Sequence, residues 1–236
     1  MRFLTILIPC FFIQAIVCAQ SGLDVELGVD RWKIKTAADK LSETSKSKHI
    51  PLEKLLRLPL LAPEYSKGDY DEVLIPQSPG LKLNEGDIIT TEGYMHLVAL
   101  ERASDTHKDG DYHIQITLNP EWTDSCFIVE IPYKAFIKNK DLKDLCDKNR
   151  QFIRKRILKD ESKEPSAGGN VMKGIVYVRV TGQLFYDAIH SSTMRNKNPK
   201  KNKYRGKKGK SDTPMHSYTA WEIHPVTDIV FWPKPK

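Results

Sequence analysis

Apolar and polar residues alternate strictly along Tyr112-His113-Ile114-Gln115-Ile116-Thr117-Leu118. A period of two predicts a strand with one apolar and one polar face. Residues 88–102 form a longer β-rich run, and Gly93 within it predicts a bulge or bend. The polar stretch between these runs ends in Asp109-Gly110, a hairpin turn signal. Phe127-Ile128-Val129-Glu130-Ile131-Pro132 predicts a third strand. The period then changes. Across 141–159, Leu142, Leu145, Cys146, Phe152, Ile153 and Ile157 fall on one helical stripe. A Gly/Pro/Ser loop at 165–169 follows, and 174–186 and 221–232 predict two more strands.

The order β-β-β-α-β-β, with the helix between the third and fourth strands, is that of an OB-fold. It predicts a mainly β chain forming a small five-stranded OB-like barrel with one helix. An open five-stranded sheet packed on one helix is the alternative. Ahead of it, 20–86 reads as an extended N-terminal arm. Five prolines at 51, 59, 63, 76 and 79 argue against a core of its own. Its one helical stretch is Pro51-Leu52-Glu53-Lys54-Leu55-Leu56-Arg57-Leu58, with proline at the first helical position.

Composition adds a compartment. Arg2 precedes an almost wholly apolar run from 3 to 17, and Val17-Cys18-Ala19 supplies small residues at a cleavage site. This predicts a signal peptide over 1–19 and a secreted or periplasmic protein. The run falls short of the roughly 20 apolar residues of a spanning helix and contains Pro9 and Gln14, so no transmembrane segment is predicted. A lipoprotein would place a small residue where Val17 precedes Cys18. The division is then 1–19 signal peptide, 20–86 arm, and 87–236 OB-like domain with a basic loop at 191–219. Cleavage leaves two cysteines, Cys126 and Cys146. In an oxidising compartment they predict one disulfide, stapling the third strand to the helix. A pair of buried thiols is the alternative.

The formal charge of +7 is local. Nine Lys/Arg and no acid lie between Arg195 and Lys210. Cleavage of Arg2 leaves +6, and the chain without those nine cations carries −3. The protein reads as a mildly acidic domain bearing one basic loop.

Five segments resemble a widespread family of uncharacterised exported bacterial proteins. They are Arg31-Trp32-Lys33-Ile34-Lys35-Thr36, Asp109-Gly110-Asp111-Tyr112-His113, Cys126-Phe127-Ile128-Val129-Glu130-Ile131-Pro132, Val180-Thr181-Gly182-Gln183-Leu184-Phe185-Tyr186-Asp187 with His190, and Trp221-Glu222-Ile223-His224-Pro225-Val226. The resemblance spans nearly all of the mature chain in the same order. It implies that the arm belongs with the domain, and it implies no activity.

Three readings of function follow. An OB-like module binds oligonucleotides or another polyanion through the face of its second and third strands and the loop before the fifth. Arg195, Lys197, Lys200, Lys201, Lys203, Arg205, Lys207, Lys208 and Lys210 would neutralise phosphates, Tyr204 would stack on a base, and His113 would line the face. Asp105, Asp109 and Asp111 oppose that reading by repelling a phosphate backbone. In the second reading, Asp187 and His190 meet Glu222 and His224 as ligands for a divalent metal or as acid–base groups of a hydrolase or nuclease. A structural hydrogen-bond network at the root of the loop accounts for the same four residues. The third reading is a structural or protein-interaction module of the cell envelope. Asp105-x-His107-x-Asp109-Gly110 fails as a calcium loop because Ile116 stands where a bidentate glutamate is required. No motif calls for an organic cofactor.

Overall fold

The computed structural model describes residues 32–36, 41, 46–61, 83–101, 110–120, 125–174, 176–188, 194 and 216–233. The run 1–19 expected as a signal peptide, 102–109, His190 and the run 195–210 lie outside the described residues. A short helix α1 (Trp32–Lys35) is followed by strand β1 (Lys48–His49) and helix α2 (Leu52–Leu55). The barrel strands are β2 (Ile88–Leu100), β3 (Tyr112–Thr117), β4 (Phe127–Ile131), β6 (Tyr177–Tyr186) and β7 (Trp221–Phe231). Helix α3 (Lys140–Phe152) lies between β4 and the two-residue strand β5 (Asn170–Val171), and it runs on as a π-helical segment, Ile153–Leu158.

The chain is mainly β, and five strands close on themselves in the order β2-β3-β4-β7-β6 and back to β2. All contacts are antiparallel except β4–β7, which is parallel. That is the pairing of an OB barrel. Closure requires sharp bending, and glycine supplies it. A Cβ on Gly182 would stand 2.3 Å from the Pro225 carbonyl oxygen, between two register shifts of the β6–β7 ladder. The expected irregularity in β2 falls at Met95–Leu97, two residues past Gly93. Gly93 serves close approach instead, since a Cβ there would lie 2.8 Å from Leu52 Cδ2.

Alternation divides every strand between the two sides of the wall. Tyr112, Ile114, Ile116, Phe127, Val129, Ile131, Trp221 and Ile223 fill the interior. Helix α3 plugs one end with Leu142 and Cys146, joined by Ile153 at the start of the π-helical segment. Asn139 caps it by accepting from Leu142 N at 3.0 Å. Arg150 crosses from α3 to donate to the carbonyls of Gly110 and Ile131 at 3.0 and 3.2 Å, with its guanidinium 3.7 Å from the Tyr112 ring centre. Leu52, Leu55, Leu58 and Leu61 join the core at the other end, where Trp221 Nε1 donates to the Pro59 carbonyl at 3.1 Å. These described parts of the arm belong to the core of the barrel.

The expected disulfide is not formed: Cys126 and Cys146 are buried and each keeps its thiol. Strand alternation explains why. Cys126 points away from the interior that Phe127 and Val129 share with Cys146, and its sulfur accepts from Gln115 Nε2 at 3.4 Å. The wall of the barrel separates the two sulfurs.

Candidate metal centre

The polar side of β3, β4 and β7 is the outer face of the barrel, yet it is buried. Glu222, His224 and Asp111 are 0 % exposed. Register explains how the residues meet. His113 pairs directly with Glu130 across β3–β4, and Ile128 pairs with Glu222 across the parallel β4–β7 contact. Two residues further along that register, Glu130 is level with His224. Asp111 enters β3 two residues before His113 and therefore shares its face.

His224 stands among three carboxylates. Its Nε2 lies 3.2 Å from Asp111 Oδ2, and its Nδ1 lies 3.3 Å from Glu222 Oε1 and 3.7 Å from Glu130 Oε2. These are near contact distances, but neither ring N–H is aligned on an oxygen as a hydrogen bond requires. Burial alone would disfavour the imidazolium. The Asp111 and Glu222 carboxylates outweigh it, with Lys35 opposing them, and the His224 pKa is raised. On the other side of Glu130, His113 Nδ1 is hydrogen-bonded to Oε1 at 2.8 Å and lies 3.8 Å from Glu101 Oε1. Two groups have donor atoms within 4.8 Å of one another: Asp111, Glu130 and His224, and Glu101, His113 and Glu130.

Helix α1 lies over this face. Gln183 Nε2 donates to the Ile34 carbonyl at 2.8 Å, and Lys35 Nζ stands 5.7 Å from the Phe185 ring centre. Phe185 in turn meets the His224 ring edge-on at 5.8 Å. The Arg31–Thr36 motif thus contributes Ile34 and Lys35 to the cover of the cluster.

The structure unites two of the four residues expected as metal ligands. Glu222 and His224 share a face as their spacing requires, with Trp221 and Ile223 directed into the core. Asp187 is buried beyond the end of β6, where its N–H donates to the Ala220 carbonyl at 2.9 Å, and it belongs to neither donor group. His190 and the expected phosphate-binding residues lie outside the described residues. His113, expected to line the outer face of the second and third strands, stands on that face within the cluster, hydrogen-bonded to Glu130. Asp111, Glu130 and Glu101 were not foreseen. One local signal was present in Glu130, a carboxylate inside an otherwise apolar strand, and another in the two-residue spacing of Asp111 and His113. His96 is structural, its Nε2 lying 3.0 Å from the Asn119 carbonyl.

A concavity of about 690 Å³ lies between the π-helical segment, β5 and the ends of β6 and β7, and shares no residue with the cluster. Among the described residues no helix is long and apolar enough to cross a membrane. No family model, curated protein or solved structure matches the chain, so function has to be read from the site itself.

Proposed function

We propose that this protein is an exported OB-like barrel that binds a divalent transition-metal ion on the outer face of β3, β4 and β7. The observation that carries this reading is the convergence of Asp111, Glu130 and His224 donor atoms within 4.8 Å, all buried. Asp111, Glu130 and Glu222 are buried carboxylates around the His224 ring, a setting that a bound divalent cation would suit. Two atoms that each ligate an ion at about 2.1 Å, at a right angle, sit about 3 Å apart. The 3.2 Å between His224 Nε2 and Asp111 Oδ2 matches that separation, and the misaligned N–H suits two groups aimed at a common third atom. Glu222 would then orient the ring through Nδ1, the usual partner of a ligating histidine. Mixed nitrogen and oxygen donors suit Zn²⁺ or Mn²⁺.

The test is metal content. After chelation and reconstitution with Zn²⁺ or Mn²⁺, elemental analysis should find at least one tightly held ion per chain. The variants His224→Ala and Asp111→Asn should each lose it while keeping a native circular dichroism spectrum. A wild-type chain that retains no metal and gains no thermal stability at saturating Zn²⁺ or Mn²⁺ sinks the proposal.

The polyanion reading rests on another observation, the nine cations between Arg195 and Lys210. The described outer face cannot serve it, because Glu130, Glu222 and Asp111 there would repel phosphate. Binding would be confined to the loop.

A further inference from the structure

Glu130 belongs to both donor groups, and its two oxygens diverge. Oε1 lies 2.8 Å from His113 Nδ1, while Oε2 faces His224 Nδ1 at 3.7 Å. A carboxylate shared by two adjacent donor sets is placed as a bridge. The second set, Glu101, His113 and Glu130, supplies one nitrogen and two carboxylates, the same mixture as the first. We propose that the centre is dinuclear: a second divalent transition-metal ion sits between Glu101 and His113, joined to the first through Glu130. This inference rests on the metal reading above and adds to it a second position.

The two positions differ in access. The first is enclosed, with Asp111, Glu222 and His224 wholly buried. The second opens outward, since the Glu101 side chain is 26 % exposed. A closed site holds its ion for structure, whereas an open position leaves a coordination place for water. Paired ions bridged at about 3.5–4 Å are the arrangement that activates water for hydrolysis. The His113–Glu130 hydrogen bond occupies the second position in the absence of metal, and its proton is what the ion would displace.

The experiment is Mn²⁺ loading of the full chain, read by elemental analysis and electron paramagnetic resonance. We expect two Mn²⁺ per chain and the spectrum of an exchange-coupled pair. Glu101→Gln, at the exposed edge where folding is least at risk, should retain one ion. The coupled spectrum should then give way to the six-line pattern of isolated Mn²⁺. Glu130→Gln should abolish coupling. A wild-type chain that binds one Mn²⁺ with an uncoupled spectrum overturns the second position and leaves the first standing. Two ions without coupling overturn the bridge. No ion at all overturns the metal reading itself.

Discussion

At the scale of single residues, burial decides chemistry. Cys146 stands in the core among apolar side chains, and that burial, reinforced by the nearby Asp111 charge, pushes its thiol up to about 12. The neutral thiol is the form the fold prefers. Its contribution to stability is complete below the unfolded-state value of about 8.5 and is lost as pH rises through the folded value. We therefore expect unfolding stability to fall between about pH 8.5 and 12. Iodoacetamide at pH 8 should label Cys146 only in denaturant, as read by peptide mass spectrometry, and ready labelling of the native chain would contradict this packing. The pair Glu222 and His224 was legible as a shared polar face because alternation is local. Their meeting with Asp111 and Glu130 was not, because no local pattern states which strand lies next to which.

At the scale of elements, the arm carries the lesson. Proline at 51 and the leucine spacing marked the helix, which the structure confines to Leu52–Leu55. Five prolines argued only that this segment lacks a core of its own, and in fact it completes the core of the barrel. Leu55 is wholly buried there. Leu55→Ala should destabilise the protein by about 2–5 kcal/mol in chemical denaturation. A loss under about 0.5 kcal/mol would mean that α2 does not pack on the barrel. Gly182→Ala makes a separate prediction. Its Cβ would collide with backbone at the β6–β7 crossing, so we expect a larger fall in Tm from this single methyl than from an exposed alanine substitution such as Lys140→Ala.

At the scale of the whole molecule, charge is divided. The described outer face of β3, β4 and β7 is acidic, whereas the cations of 195–210 form one run. If that run binds single-stranded oligonucleotide, affinity should fall steeply with salt, and replacing its nine Lys/Arg by glutamine should abolish binding while leaving metal content unchanged. Binding that survives the replacement would place the polyanion elsewhere.

Element order, the helix stripe, the barrel class and the two-sided alternation of 112–118 and of Trp221 to His224 were all determined by the sequence. Each follows from backbone period and side-chain burial within one segment. The strands 112–118 and 127–132 agree with β3 and β4 to within a residue at their C-terminal ends. Tertiary structure alone decided the rest. Parallel pairing of β4 with β7 brought Glu130 to His224, the barrel wall kept Cys126 from Cys146, and α1 came to lie over the cluster. Those outcomes depend on register and closure between distant segments, which are selected by the packing of the entire core.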